Sequence, residues 1–183
     1  MKSTFCFPFV AIFAIFTFFG CSSDDNNDTE EEGKGEFIIN EHKYYQQVNL
    51  LGKYFGEIGN IYYMKGSLAF SAEVRDPTSL SSGYTLTFYF PDYKSLTELK
   101  VGRISNVEIH ELRDIMAIEP FYTYEIKAGT ITIKSNDVTE VTICFDNVEV
   151  LKTVSTSIDD DATGKHSFKL KGTLLFSQEE KSL

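Results

Sequence analysis

The 183-residue chain has no tryptophan, only three histidines and three cysteines, and far fewer bases than acids. Tryptophan is the strongest aromatic platform for a sugar or peptide, so any such platform must use tyrosine or phenylalanine. The formal net charge of −10 leaves no surplus of bases with which to bind DNA, RNA or anionic lipid. Nucleic acid is therefore not expected as a partner.

The chain also lacks an apolar run long enough to cross a membrane as a helix. Its longest run, Phe5 to Phe19, has 15 residues, and a helix of that length rises about 22 Å, short of a ~30 Å hydrocarbon core. Lys2 precedes the run and the small residue Gly20 follows it. This arrangement is typical of a secretory signal peptide, which we predict over residues 1–20.

The residues at the end of this run are Phe18, Phe19, Gly20 and Cys21, and an acidic run rich in Ser, Asp and Asn follows. They resemble the lipobox of bacterial lipoproteins, in which the cysteine is acylated and becomes the first residue of the mature chain. Phe18 and Phe19 replace the leucine and the small residue that are usual there. The acidic run is similar to the export signal of surface lipoproteins in Bacteroidota, and Ser22 is similar to the residue found in lipoproteins sorted to the outer membrane.

The resemblance implies a lipid on Cys21 and a place on the outer membrane, at the cell surface or on the periplasmic face. Stable anchoring takes two membrane signals, at ~0.8 kcal/mol per buried CH₂, so the three acyl chains of a lipobox cysteine would make release negligible. Cys6 would leave with the signal peptide, and Cys144 is then expected to be a buried, inert thiol. The alternative is a plain signal peptide that happens to end at a cysteine.

Negative charge is concentrated just after Cys21. Residues 22–33 hold six acids and no base, whereas residues 34–183 carry a net charge of −5. Such a block repels itself and stays extended, so residues 21–35 are predicted to be a lipidated cysteine and a disordered tether. Residues 36–183 then form one domain of about 150 residues, which can bury roughly 68–70% of its unfolded surface.

Alternation of apolar and polar residues dominates this domain. From Ile61 to Val74 it predicts one long strand, with Tyr62, Leu68 and Phe70 on the buried face. Only residues 92–102 offer a helical turn or two. The predicted fold is an all-β, antiparallel sandwich of about nine or ten strands, with a lipocalin-like barrel as the alternative.

One short sequence occurs nearly twice. Residues 65–71 and 171–177 share five of seven positions, and each segment places a glycine, Gly66 or Gly172, on the apolar face of its predicted strand. The similarity indicates either an old duplication or two strands of like composition.

Two segments contain possible metal ligands. Residues 110–114 begin like the His-Glu-x-x-His motif of zinc proteases, but Asp114 stands where the second histidine is needed, and the segment alternates like a strand. Asp159, Asp160 and Asp161 place oxygens as a calcium loop would, but Leu170 occupies the position of its bidentate glutamate. An exposed strand end and an exposed loop are the favoured interpretations, so no metal or cofactor is assigned.

No complete catalytic motif is present either. Ser67 follows Gly66 inside a strand pattern rather than at a strand-to-helix elbow. Pairs such as Glu108 and Glu111 are too common in an acidic chain to indicate a glycosidase. The histidines are scattered in the sequence, at positions 42, 110 and 166. No catalytic residue is therefore assigned.

Tyrosines are the remaining candidates for a binding surface. Tyr63, Tyr89 and Tyr124 are predicted to point outward, where they would form a platform for a sugar or peptide or pack against neighbouring strands. The expected function is a lipid-anchored, non-catalytic binding or accessory module for a glycan or protein partner. The alternatives are an assembly component whose edge strands extend a partner's sheet, and a hydrolase whose residues converge only in the fold.

Overall fold

The structure, a computed structural model, describes residues 33–50, 53–116, 122–154 and 165–178, which form eleven strands and no helix. The strands are β1 (Gly33–Ile39), β2 (His42–Leu50), β3 (Lys53–Phe55), β4 (Gly59–Met64), β5 (Ser67–Asp76), β6 (Ser79–Phe90), β7 (Gly102–Ile104), β8 (Glu108–Asp114), β9 (Tyr122–Asn136), β10 (Glu140–Val154) and β11 (Lys165–Ser177). The predicted all-β class is confirmed. The strand number is higher than expected because β3 and β7, of three residues each, are too short to show alternation. Among these described residues there is no helix able to span a membrane.

All eleven strands belong to one sheet, in the order β7-β9-β10-β11-β1-β2-β5-β6-β8, with β3 paired to β2 and β4 paired to β5 and β11. The pairing of β4 with β11 is parallel, and the others are antiparallel. The sheet rolls up until its last strand meets β9 and β10. There the Tyr124 hydroxyl donates to the carbonyl of Leu112 at 3.4 Å, and Lys152 Nζ donates to the same oxygen at 3.5 Å. This rolled sheet shares features with both the sandwich and the barrel alternatives.

Antiparallel pairing places the turns alternately at two ends of the rolled sheet. One of these ends, which we call the entry end, is where the chain enters the described structure at Gly33. The turn at 65–66, the segment 91–101 and the turn at 137–139 also lie there. The opposite end, which we call the far end, holds the turns that follow β1 and β5. The predicted turn at 40–41 is confirmed, and both of its residues have positive φ.

Phenylalanine rings fill the centre of the core. The Phe145 ring lies edge-on to Phe37 with centroids 5.2 Å apart and tilted against Phe88 at 4.8 Å. All three side chains are completely buried. Burying one such side chain contributes about 1.5–3 kcal/mol, so packing rather than surface charge is the main source of stability.

The helical turn or two predicted within residues 92–102 is a series of hydrogen-bonded turns rather than helix. The segment forms consecutive turns, and its side chains Leu96 and Leu99 are buried in the core at the entry end. The side-chain amide of Asn136 donates to the carbonyls of both leucines, each at 2.7 Å. Such a short segment cannot repay the cost of nucleating a helix, whereas these turns place both leucines in the core.

The predicted strand from Ile61 to Val74 is also wrong, because it is a hairpin of β4 and β5. Lys65 and Gly66 have φ angles of 52° and 82°, as a two-residue type I′ turn requires. Ile61 pairs with Phe70 across this turn, so Ile61 is the buried residue and Tyr62 lies on the outer face. The predicted face of β4 is therefore reversed. Gly66 lies in a turn and Gly172 inside β11, so the two similar segments play different structural roles.

The sheet begins earlier than the predicted domain boundary. Gly33 pairs with Val48 and Lys34 with Gln47, so residues 33–35 belong to β1 and not to a tether. The acidic composition of the preceding residues gave no sign of this, because the pairing uses only backbone groups. Residues 1–32, with the predicted signal peptide and Cys21, lie outside the described residues.

A side chain completes the ladder next to β1. Gln46, which is 1% exposed, accepts a hydrogen bond from the backbone N–H of Leu175 at 2.6 Å and donates to its carbonyl at 2.7 Å. The amide reaches from β2 to β11 across Gly35, where a Cβ atom would collide with Gln46 Oε1. The Gln46 amide thus replaces a backbone pair that β1 does not supply.

The expected burial of Cys144 is confirmed, whereas its expected thiol state, which applies to the processed chain, stays a prediction. Cys144 is 3% exposed in β10 and is disulfide-bonded. The prediction assumed that signal removal and lipidation take away both other cysteines, whereas the full chain contains Cys6 and Cys21. Both of these lie outside the described residues.

Asp76 at the far end is expected to make stability depend on pH in acid. Thr78 donates to Asp76 Oδ1 through its hydroxyl at 2.5 Å and its backbone N–H at 2.7 Å, and His42 Nε2 lies 2.8 Å from Oδ2. The Thr78 hydroxyl bond, followed by the His42 bond, lowers the pKa of Asp76 from 3.8 to about 2. Because the folded pKa is depressed, this stabilisation is present above about pH 4 and is lost as the pH falls towards 2.

Asp76→Asn should therefore remove part of the acid dependence of the free energy of unfolding. The expected difference between wild type and variant is on the order of 1 kcal/mol near neutral pH and vanishes near pH 2. Urea unfolding at a series of pH values measures it. Parallel curves for the two proteins would contradict the assignment. Asp92→Asn, at the entry end, is the control.

Candidate functional site

The sheet has a gap where β8 and the first half of β9 face each other. β7 pairs with β9 only from Ile131 to Ile133. Beyond that point β8 pairs with β6 and β9 pairs with β10. No ladder joins β8 to β9 within the described residues. The gap, which we call the seam cleft, has a volume of about 670 Å³.

Irregular pairing in both walls explains why the strands separate. In β8 the register shifts between Ile109 and Glu111, which leaves His110 as the extra residue of a β-bulge. In the other wall Asn147 and Gly129 have positive φ where the pairing of β10 with β9 shifts. Bulges bend a strand and increase its twist, and they are frequent next to binding sites.

The seam cleft has an apolar floor and a polar rim. Ile109, Ile131 and Val148 form part of the floor and are nearly or fully buried. The rim includes charged and amide side chains, namely Arg103, Asn106, Glu108, His110 and Glu125. Ligand pockets typically have volumes of about 300–1,000 Å³ and combine apolar walls with a few polar groups. The cleft therefore suits a ligand with one apolar and one polar face.

His110 lies on this rim, in contact with one acidic and one aromatic side chain. Its Nε2 lies 3.5 Å from Glu108 Oε2, and its ring packs edge-on against Tyr89 with centroids 5.4 Å apart. A general base and its partner usually lie about 2.6–3.2 Å apart. The pair is longer than that, and its position on the rim exposes it to a ligand in the cleft.

The protease-like segment 110–114 is confirmed as a strand, since it lies in β8. Glu111 accepts hydrogen bonds from Arg113 Nε at 2.9 Å and from the Thr87 hydroxyl at 3.3 Å. Within the four described segments, no group of three or more His, Cys, Asp or Glu side chains is placed to hold a metal ion. The predicted calcium loop at 159–161 lies outside the described residues.

The remaining candidate residues are separated in the fold. Tyr63 is 53% exposed, but Tyr89 is buried and Tyr124 is half-buried, so the predicted tyrosine platform does not form. Ser67 is buried and donates to the Pro91 carbonyl at 3.0 Å. The three histidines lie on three different strands, β2, β8 and β11.

A second cleft, of about 690 Å³, lies between β3 and the outer face of β5. Tyr54 and Phe55 line one side, and Glu73 and Arg75 line the other. Arg75 donates to the Leu80 carbonyl at 2.5 Å and to Glu73 at 2.6 Å. The Arg75 guanidinium is therefore already bonded to other groups of the protein, which makes this cleft a weaker candidate for a ligand site than the seam cleft.

Neither cleft was found by sequence analysis, since each depends on where a ladder stops. Two features of the sequence hint at irregular pairing near the seam cleft: the glycine at position 129 and the loss of apolar–polar alternation around residues 105–107. The chain matches no protein-family model, no curated protein and no solved structure. The candidate site therefore rests on its geometry alone.

Proposed function

We propose that this protein is a lipid-anchored, non-catalytic binding module of a bacterial outer membrane, held by Cys21 and binding its ligand in the seam cleft. The observation that carries the proposal is the cleft itself, with its apolar floor and its rim of His110, Glu108 and Asn106. A glycan or a peptide segment has the mixed polar and apolar faces that such a lining favours. The support for the lipid anchor is the lipobox-like sequence around Cys21.

A bulky residue at the mouth of the cleft should abolish binding without unfolding the protein. Ser105 is an exposed lining residue, so Ser105→Trp would fill the cleft from a loop. Ser82, exposed in β6, gives the matched control Ser82→Trp. A glycan array and a pulldown from native membranes should show ligands for wild type and Ser82→Trp that Ser105→Trp has lost. Equal binding by all three proteins would show that the ligand binds outside the seam cleft. If folded wild type bound no ligand in either assay, the proposed binding module would be refuted.

The anchor has its own test. Cells labelled with a palmitate analogue should incorporate it into wild type and Cys6→Ala but not into Cys21→Ala. The label should follow the outer-membrane fraction, and protease added to intact cells distinguishes the surface from the periplasmic face. Label that persists in Cys21→Ala would reject lipidation at this residue.

Processing would also change the state of Cys144. Acylation occupies the Cys21 sulfur, and signal removal takes Cys6 away, so the mature form would contain Cys144 as a thiol in place of the disulfide seen in the full chain. Thiol titration of the denatured mature protein should count one reactive thiol. A count of zero would show that Cys144 remains disulfide-bonded after processing.

A second candidate function is assembly with a partner through the strands that border the seam cleft. β8 and residues 122–129 of β9 each have a ladder on one side only within the described residues. A partner strand that entered the seam would find backbone donors and acceptors on both sides. Crosslinking on intact cells distinguishes this candidate, since it predicts one dominant partner and blocking by Ser105→Trp.

A further inference from the structure

Lys152 is the only charged side chain that is buried among the residues the structure describes. It lies in β10 and is 4% exposed. Burying an ammonium group costs free energy, which is recovered only through close contacts with polar groups or aromatic rings. The contacts of Lys152 therefore indicate what its position achieves.

These contacts connect Lys152 to both walls of the seam. Its Nζ lies 3.9 Å from the centre of the Tyr122 ring in β9 and 5.9 Å from that of the Phe168 ring in β11. Ring faces attract a cation at such distances. The same nitrogen donates to the Leu112 carbonyl in β8 at 3.5 Å. One ammonium group thus reaches from β10 to the strand on each side of the seam.

The Leu112 carbonyl lies on an edge of the sheet, since β8 pairs only with β6 within the described residues. The Tyr124 hydroxyl, from β9, donates to this carbonyl at 3.4 Å, so two donors from beyond the seam meet on one oxygen. We call Tyr124 and Lys152 the seam clasp. They occupy an acceptor that a backbone N–H of an adjacent strand would otherwise use. Both distances are long for hydrogen bonds, so the clasp is weaker than a ladder.

The clasp closes one end of the seam cleft, and a ladder closes the other. On the side of the entry end, Ile104 of β7 pairs with Ile131 of β9. On the side of the far end, the clasp holds Leu112. Leu112 follows Ile104 by eight residues, and at about 3.3 Å per residue the opening between them is at most about 26 Å long.

We propose that the seam clasp limits the seam cleft to a short segment of ligand and prevents a partner strand from pairing along the whole of β8. This inference rests on the proposed binding of a ligand in the seam cleft. A buried charge is a weak source of stability, and its best attested role is to fix one arrangement against alternatives. Here the alternative is the addition of a further strand to the edge of β8, for which a second copy of the chain is the nearest source.

Removing both donors tests the proposal with little change in side-chain volume. The clasp variant, made in the full-length chain, combines Lys152→Met with Tyr124→Phe. Lys152→Arg, which keeps the cation and its donors, is the conservative variant. Tyr124→Phe alone removes one donor with the smallest change, and it serves if the clasp variant does not fold. Lys169→Met combined with Tyr63→Phe is the matched control, since both of these residues are exposed.

Hydrogen exchange measured by mass spectrometry separates an opened seam from a destabilised protein. In the clasp variant, exchange in residues 108–114 and 122–130 should be several-fold faster than in wild type. Exchange in β1 and β2 and the urea midpoint should stay close to wild type, because only a local opening is affected. Tyr124→Phe alone should give a smaller change in the same direction. Lys152→Arg and the matched control should behave as wild type.

Sedimentation velocity reports whether the opened edge accepts a strand. The clasp variant should form a dimer that wild type and the matched control do not form at the same concentration. Faster exchange throughout the protein with a lower urea midpoint would make Lys152 and Tyr124 ordinary structural residues and overturn the proposal. Unchanged exchange at the seam would overturn it too, as would an opened seam in a protein that stays monomeric. Neither measurement uses a ligand, so a failure here is distinct from a failure of the glycan array and pulldown.

Discussion

Gln46→Leu is expected to lower the free energy of unfolding by about 2–4 kcal/mol, since it leaves the partly buried N–H and carbonyl of Leu175 without their Gln46 partners. The wild-type amide meets both groups at 2.6 and 2.7 Å and is 1% exposed. Leucine has nearly the same volume as glutamine, so the loss reports hydrogen bonding rather than a cavity. Urea unfolding should show a lower midpoint with an unchanged slope.

The neighbouring residue supplies the control for this prediction. Gln47 is only partly buried, and Gln47→Leu should change the free energy of unfolding by no more than about 0.5 kcal/mol. If the two variants were equally stable, the bridge from β2 to β11 would have no energetic role. Hydrogen exchange at the Leu175 amide gives a local readout, and it should accelerate in Gln46→Leu alone.

Gly172→Ala is expected to cost about 3–5 kcal/mol, through a strained backbone and a collision with β1. Gly172 has a φ of 132°, which favours glycine. A Cβ atom there would lie 2.8 Å from the Phe37 Cα and closer still to the Glu36 carbonyl oxygen. Both are backbone atoms of a central strand, so neither can move cheaply. Thermal unfolding of the variant should begin well below that of wild type.

Gly66→Ala is the matched control, because Gly66 also follows a lysine in the similar segment. Its φ is 82°, but a Cβ atom added there would have no other atom within 4 Å. The expected cost is the left-handed backbone strain alone, about 1–2 kcal/mol. If Gly66→Ala destabilised the protein as much as Gly172→Ala, the proximity of β1 to Gly172 would not explain the effect.

Local sequence patterns predicted the strands but not their arrangement. Alternation in β5 and β6 follows from neighbours along the chain, so Phe70 and Phe88 were assignable as strand residues. The buried face of β4 could not be predicted. The Lys65–Gly66 turn changes which alternate residues face the core, while the apolar and polar residues continue to alternate along the sequence. Lysine at the first turn position carries no strong turn signal, although glycine after it does.

The candidate site depended on still less local information. The His110 bulge appears only when β8 is aligned with β6, and the seam cleft appears only where β9 meets β8. His110 could be named from the sequence as a residue with useful chemistry, but its neighbours Ile131 and Val148 could not. Separated residues meet there because the sheet rolls up, and rolling is a property of the whole strand order.

The position of β1 between β11 and β2 has a consequence for when the chain can fold. β1 needs β11, at the opposite end of the described part of the chain, as its partner, so this ladder cannot be completed until β11 has been synthesised. Pairings between distant parts of a chain form slowly because the intervening loop must be closed first. A polypeptide built in this way is expected to stay unfolded for longer after it leaves the ribosome.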